Sequence, residues 1–169
     1  MRVLFKIMDR LLEQVRLDLL RPHAFAAERV GFLVCGVAKL APSGTVILAH
    51  SFRPVEDTDY VDDPTVGAMM GPGAIRKALE FALNNKVGMF HVHMHDHSGR
   101  TRFSLIDARE SARFVPDFWN VRPGIPHGAA VLSRNSAFGM CWHPAVPVPI
   151  EIDEFVVVGS PMFFTRNSP

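Results

Sequence analysis

The chain has 169 residues, of which 48% are hydrophobic and 21% charged, and its formal net charge is +1. This length and composition are typical of one globular domain with its own hydrophobic core, and they exclude the disordered and fibrous classes. A nearly neutral chain without a run of basic residues is not expected to bind nucleic acid.

The first half of the chain predicts strands, one helix and a long connection. Residues 1–8 are apolar and predict a short strand, and an apolar stripe over residues 9–20 predicts an amphipathic helix. The uniformly apolar run 30–38 predicts a buried central strand, and residues 45–52 predict the next strand. Residues 53–73 contain prolines, glycines and five acidic residues, and we interpret them as an acidic loop insertion.

The second half continues the alternation. Apolar residues at helical spacing over 75–83 predict a helix, residues 87–95 predict a strand, and another helix is expected to begin at Ser104 and end before Pro116. Three further strands are predicted at residues 127–133, 137–142 and 150–158. Interleaved strands and helices indicate an α/β fold with a mixed β-sheet flanked by helices, in one domain spanning residues 1–169.

Neither the cysteines nor the apolar segments indicate a secreted or membrane protein. Cys35 and Cys141 form no C-x-x-C motif, which excludes a thiolate zinc finger and a disulfide scaffold. Lys6 and Asp9 interrupt the N-terminal apolar stretch, and no small-residue cleavage site follows it. The run 30–38 is about half as long as a membrane span requires. We therefore expect a cytoplasmic location and no membrane partner.

A histidine cluster is the first feature that points to chemistry. The seven-residue segment 91–97 contains four histidines, namely His91, His93, His95 and His97. It covers the end of the strand predicted at 87–95 and the two residues after it. Side chains two residues apart in a strand point to the same face, so two imidazoles can converge on one metal ion. A catalytic zinc site uses three protein ligands and keeps one position open. The alternative is a row of strand histidines with only adventitious metal affinity.

Asp107 is a candidate for the third ligand. It lies twelve residues after His95, in a Ser104-x-x-Asp107 pattern. That pattern is also the signature of a helix capping box, in which the serine caps the helix and the carboxylate returns to the backbone. A helix that begins beside the strand end could aim both side chains at a metal, so both interpretations stay open. The motifs of zinc deaminases and of H-E-x-x-H metalloproteases are absent.

Three segments together resemble the JAMM metallopeptidases of the MPN-type fold, in their bacterial branch. Residues 28–36 are similar to that family's glutamate entering a buried strand, residues 88–95 to its strand ending in H-x-H, and residues 103–107 to its S-x-x-D motif. Their order and separation agree, and the resemblance covers about residues 26–142. The chain departs from the family pattern in lacking the proline after H-x-H and in a longer spacing from H-x-H to the serine.

The resemblance implies an MPN/JAB-type fold, which is cytidine-deaminase-like, and one zinc ion. Its implied ligands are His93, His95 and Asp107. The alternative register uses His91 with His93 and is favoured by Gly88, three residues before His91. The spacing to the serine favours His93 with His95. In either register His93 is a ligand.

The resemblance also implies a reaction and partners. Glu28 would act as the general base and Ser104 as the donor to the oxyanion in a zinc-dependent peptidase or isopeptidase. The bond cleaved would follow the C-terminal tail of a ubiquitin-like protein, and partners would include other proteins of a ubiquitin-like conjugation operon, as in antiphage systems. We expect acidic residues 56–63 to lie near the tail. The alternative is a non-catalytic MPN-type interaction module, in which the glutamate or the ligands are usually missing.

Overall fold

A large mixed sheet organises the part of the chain that this computed structural model describes, namely residues 1–23, 26–63 and 67–159 and the backbone of residues 163–166. In chain order the strands are β1 (Arg2–Met8), β2 (Val30–Leu40), β3 (Gly44–Pro54), β4 (Tyr60–Val61), β5 (Met69–Met70), β6 (Gly88–Met94), β7 (His127–Leu132), β8 (Ala137–Trp142), β9 (Ile150–Glu151), β10 (Glu154–Val158) and β11 (Phe163–Arg166). The sheet order is β11-β10-β1-β3-β2-β6-β7-β8-β9, and β4 pairs with β5 as a separate ribbon. Parallel and antiparallel pairs both occur, which confirms the predicted α/β class with a mixed sheet.

The helices lie on both faces of this sheet. They are α1 (Asp9–Leu19), α2 (Pro72–Asn85), α3 (Leu105–Phe114) and α4 (Asp117–Val121). Buried residues of α1 belong to one hydrophobic cluster, and buried residues of α2, α3 and α4 belong to a second. Apolar periodicity predicted α1 and α2, and the start at Ser104 and the stop before Pro116 predicted α3, whereas the five-residue α4 was not predicted. Within the described residues, no helix has the length and apolar character needed to cross a membrane.

The sheet curls so that its two ends approach each other. Only Ile152 and Asp153 separate β9 from β10, although these strands lie near opposite ends of the sheet order. The backbone N–H of Ile152 donates to Gly139 in β8 at 2.9 Å, and that of Asp153 donates to Val3 in β1 at 3.0 Å. The prediction of one continuous strand over 150–158 was therefore wrong, because the chain changes pairing partner in its middle.

Residues 53–73 contain more regular structure than the predicted loop. They hold the end of β3, a 3-10 turn at Asp57–Asp59, the β4–β5 ribbon and the start of α2, while residues 64–66 lie outside the described residues. Two of the acidic residues already have partners. Asp57 contacts Arg29 at 2.6 Å, and Asp59 contacts Lys77 at 2.5 Å. Asp59 also accepts the Gly71 N–H through its carbonyl, so the segment is tied back to α2.

Candidate metal centre

Strand β6 places two of the clustered histidines inside the protein. It lies between β2 and β7, and every residue from Gly88 to Met94 is buried. Alternation along the strand directs Phe90 to the α1 face and Met89 to the α2–α4 face, so His91 and His93 share the face of Met89. The His93 side chain is 3% exposed, and neither of its ring nitrogens has a hydrogen-bond partner among the described residues. A buried polar group left in this state indicates a missing partner.

The N-terminal turn of α3 brings a carboxylate to this imidazole. The Ser104 hydroxyl accepts the Asp107 N–H at 3.1 Å, and the Ser104 N–H donates to Asp107 Oδ2 at 2.8 Å, so the predicted capping box is present. The same Oδ2 lies 3.3 Å from His93 Nε2 and 3.6 Å from His95 Nε2. The two interpretations of Ser104-x-x-Asp107 are therefore compatible, since the cap orients the carboxylate that faces the histidines.

Glu28 reaches the same place from the segment before β2. Its Oε1 lies 4.0 Å from His95 Nε2, and Glu28, His93 and His95 each offer one potential ligand atom within 4.8 Å of the others. The Glu28 N–H donates to the Gly67 carbonyl at 2.9 Å. A Cβ at position 67 would lie 3.0 Å from the Glu28 carboxylate, so glycine permits this close approach.

Arg29 fixes the backbone that carries Glu28. Its side chain is 4% exposed and donates to Asp57 Oδ1 at 2.6 Å and to the carbonyls of Arg21 and Pro22 at 3.0 and 2.8 Å. The hydrogen bond with Asp57 raises the pKa of Arg29 and lowers the pKa of Asp57. This buried clamp joins the segment after α1, the start of β2 and the 3-10 turn.

The electrostatics of the centre favour an ionised carboxylate at Asp107 and a neutral imidazole at His91. Burial alone would raise the pKa of Asp107, but His93 and then Ser104 outweigh burial and hold that pKa well below its usual range. Burial, followed by the neighbouring His93, lowers the pKa of His91 to about 3. The 3.3 Å contact between His93 and Asp107 does not have hydrogen-bond geometry, so attraction rather than a shared proton describes it.

These donors suit a zinc ion. Four ligand atoms about 2.0–2.1 Å from a tetrahedral zinc lie about 3.3 Å from one another. The contacts of Asp107 with His93 and His95, at 3.3 and 3.6 Å, are close to that edge length, and no hydrogen bond from the described residues occupies a ring nitrogen of His93. Glu28 Oε1 lies slightly further away, 4.0 Å from His95 Nε2, and Glu28 also belongs to the group of three residues whose potential ligand atoms lie within 4.8 Å of one another.

The other two histidines of the cluster do not join this group. His91 lies two residues before His93 on the same face of β6, with its ring centroid 5.8 Å from that of Phe32 and 5.3 Å from that of Phe114. Both its ring nitrogens lack a hydrogen-bond partner within the described part of the chain. His97 is exposed, and its Nδ1 lies 3.1 Å from the Ser98 carbonyl. The geometry therefore favours the register with His93 and His95 over the register with His91 and His93.

Thr101 is a neighbour of the centre that sequence analysis missed. It is 5% exposed, and its hydroxyl oxygen lies 3.3 Å from Nδ1 of His95. Its position in the turn between β6 and α3 belongs to no motif, and a threonine among polar residues looks like ordinary loop sequence. A search for hydroxyl residues within a few positions of the H-x-H pair is the signal that could have found it.

Comparisons with known proteins assign no family. No family model matches the chain, and no curated protein matches it. Among solved structures, the N-terminal domain of STIL from Trichoplax adhaerens matches with a TM-score of 0.43 and 10% sequence identity over 82% of this chain. The chain spans 41% of the length of that structure. A likeness of this size carries no conclusion about function.

Proposed function

We propose that the chain is a zinc-dependent peptidase or isopeptidase of the JAMM type, with an MPN-type arrangement of its sheet and helices. One observation carries the proposal. Glu28, His93, His95 and Asp107, from three separate segments, meet around one point at the end of β6. Of the two functions considered from the sequence, this set favours the enzyme, because a non-catalytic interaction module has no need of an acid beside two imidazoles and a carboxylate.

In this proposal His93, His95 and Asp107 hold the zinc ion. Zinc, when bound, supplies a Lewis acid and lowers the pKa of water in its open position to about 7. Glu28, which lies 4.0 Å from His95 and whose side chain is 31% exposed, would contact both the attacking water and solvent. It accepts a proton from the attacking water and returns the proton to the leaving amine.

Ser104 can serve the reaction while it caps α3. A hydroxyl carries one donor hydrogen and two acceptor lone pairs. Accepting the Asp107 N–H uses one lone pair and leaves the hydroxyl hydrogen free to donate. In the proposed reaction this hydrogen binds the oxygen on which negative charge develops during attack on the carbonyl carbon.

The proposed substrate is the extended C-terminal tail of a ubiquitin-like protein, and the proposed partners are other proteins of such a conjugation system. The exposed acids Glu56 and Asp62 are the residues of segment 56–63 that remain available to a basic tail. Asp59 is less suitable because it pairs with Lys77. Reversing the charge of Asp62 should raise KM for a basic tail, whereas unchanged kinetics would contradict this part of the proposal.

Zinc analysis and a cleavage assay test the proposal together. The substrate is a ubiquitin-like protein with a C-terminal extension, and the variants are Glu28→Gln and His93→Ala. We expect near-stoichiometric zinc in the wild type and in Glu28→Gln, and loss of both zinc and cleavage in His93→Ala. In Glu28→Gln the cleavage rate should fall by about 10²–10⁴. Glu13→Gln, an exposed glutamate on α1 at the other face of the sheet, is the matched control and should behave as wild type.

Two outcomes would count against the proposal. Purified wild-type protein that takes up no zinc after incubation with the metal would refute the metal centre. Cleavage that survives Glu28→Gln would refute the assigned base.

A further inference from the structure

One hydroxyl contacts the proposed ligand His95 at the ring nitrogen that faces away from the proposed ligand Asp107 and the proposed base Glu28. His95 Nε2 faces Asp107 Oδ2 at 3.6 Å and Glu28 Oε1 at 4.0 Å, while its Nδ1 lies 3.3 Å from Thr101 Oγ1. The His95 side chain is 22% exposed, so only part of the ring is held by packing. A partner at Nδ1 therefore matters to the orientation of this ring.

The tautomer of His95 follows from what each nitrogen must do. A neutral imidazole has one N–H and one lone pair, so Nε2 can bind a metal only if the hydrogen is on Nδ1. An Nδ1–H needs an acceptor, and the Thr101 hydroxyl oxygen is in place to accept it. We propose that Thr101 is a positioning residue that accepts the Nδ1–H of His95 in its metal-binding tautomer and thereby fixes the direction of its Nε2. This inference depends on the proposed zinc centre.

Thr101 is itself held by a network that extends away from the centre. Its N–H donates to Ser136 Oγ at 3.1 Å, and the hydroxyls of Ser133 and Ser136 lie 2.9 Å apart and both donate to the Gly99 carbonyl. Gly99 has a φ of +101°, which only glycine adopts without strain. The β6–α3 connection is thus fastened to the β7–β8 turn, and this makes the Thr101 hydroxyl a fixed acceptor.

His93 gives the expected contrast. Its Nδ1 has no hydrogen-bond partner among the described residues, and its orientation comes from burial between the sheet and α3. Packing therefore positions His93, whereas hydrogen bonding positions His95. Removing the Thr101 hydroxyl should affect the centre through His95 alone.

The test measures zinc affinity in the purified full chain by competition with a chelating dye. Thr101→Val removes the hydroxyl but keeps the shape, and Thr101→Ser keeps the hydroxyl. The matched control is Thr45→Val, because Thr45 is also 5% exposed and its hydroxyl lies 3.1 Å from a histidine nitrogen, that of His143. We expect Thr101→Val to bind zinc about 10–100-fold more weakly, and Thr101→Ser and Thr45→Val to bind within about 3-fold of wild type.

A second measurement separates orientation from folding. In zinc-saturated protein labelled with ¹⁵N-histidine, the Nδ1–H of His95 should exchange slowly with solvent in wild type and Thr101→Ser and faster in Thr101→Val. His95→Gln assigns the signals.

Each outcome has a distinct meaning. Unchanged zinc affinity and unchanged exchange of the Nδ1–H in Thr101→Val would overturn the role of Thr101 while leaving the zinc centre intact. A wild type that binds zinc but cleaves no tail would refute the proposed reaction and leave the positioning role standing. A wild type that binds no zinc would overturn both.

Discussion

The two faces of β6 are equally buried and chemically opposite. Towards α1 the strand presents Phe90, Val92 and Met94, which pack in a wholly apolar cluster. Towards α2–α4 it presents His91 and His93, whose four ring nitrogens lack hydrogen-bond partners among the residues that the structure describes. One strand therefore has an apolar face typical of a hydrophobic core and an opposite face that buries polar groups without hydrogen-bond partners among the described residues.

This difference separates stability from the proposed function. A buried polar group without a partner costs about 1–3 kcal/mol, a large share of the roughly 5–15 kcal/mol by which domains are stable. An apolar face of equal burial has no such cost. We infer that apolar packing on the α1 face offsets the free-energy cost of the unpartnered polar groups on the histidine face, as expected where function and stability compete.

The largest expected effect comes from breaking the apolar face. Phe90 is fully buried and packs edge-to-face on Phe5 with ring centroids 5.3 Å apart. Phe90→Ala should lower the free energy of unfolding by about 3–5 kcal/mol, measured by urea denaturation. The zinc affinity of the folded variant should stay close to wild type because Phe90 points away from the centre. A loss below about 1 kcal/mol would contradict the assignment of stability to this face.

Acid should weaken the histidine side of the sheet. His127 in β7 is fully buried, stacks on Phe118, accepts the Met89 N–H at Nδ1, and has a pKa lowered by burial to about 4. In the unfolded chain the pKa of His127 is near 6.5. Between pH 4 and pH 6.5 the unfolded chain therefore binds more protons at this residue than the folded protein does. The contribution of His127 to the free energy of unfolding is therefore fully present above pH 6.5 and is lost as the pH falls towards 4.

The expected size is about 2 kcal/mol lost from this residue between pH 7 and pH 5. Urea denaturation at a series of pH values measures it. His127→Gln, which cannot titrate, should have a shallower dependence of stability on pH over this window. Equal slopes in the variant and the wild type would show that His127 does not contribute.

The sequence predicted most of the fold because the elements that carry it have strong patterns. The uniform apolar run of β2 and the helical periodicity of α2 are local signals, and the structure confirms both elements. The break at Ile152 and Asp153 was not predicted, since acidic residues alternating with apolar ones also occur in a continuous half-exposed strand, whether it pairs with one neighbour or two. Pairing partners are a property of the curled sheet and not of the segment.

The candidate site was predictable only in part. H-x-H and S-x-x-D are local patterns, so His93, His95 and Asp107 could be proposed before their distances were known. Glu28 could be proposed only through the family resemblance, because a single acid before a strand is commonplace. Thr101 was missed because it belongs to no motif and because its contact with His95 depends on the fastening of its loop to Ser136.

Replacing an unpartnered ring on the histidine face should stabilise the protein. His91→Leu removes two buried polar atoms and keeps an apolar contact with Phe32 and Phe114. We expect the free energy of unfolding to rise by about 1–2 kcal/mol in urea denaturation, with zinc binding retained. His95→Leu is the comparison and should abolish tight zinc binding. Loss of zinc in His91→Leu would instead favour the register with His91 and His93.

The smallest expected effect on stability lies at the helix that faces these histidines. Ser104→Ala removes the acceptor for the Asp107 N–H and should cost about 1 kcal/mol in urea denaturation. Ser104→Asp supplies another capping oxygen and should recover that stability. The proposed oxyanion role instead predicts the same loss of activity in both variants, because neither has a hydroxyl hydrogen to donate.

Both variants should therefore lower the rate of tail cleavage, by about 10²–10³. If Ser104→Asp recovers the cleavage rate together with the stability, Ser104 acts only as a helix cap. A rate that stays low in the stable Ser104→Asp variant would be the expected result for a donor, and Ser104→Thr, which keeps both the cap and the hydroxyl, should then retain activity. The added carboxylate of Ser104→Asp could itself bind zinc, so zinc affinity is measured beside the rate, and only a rate lost at unchanged affinity supports the donor.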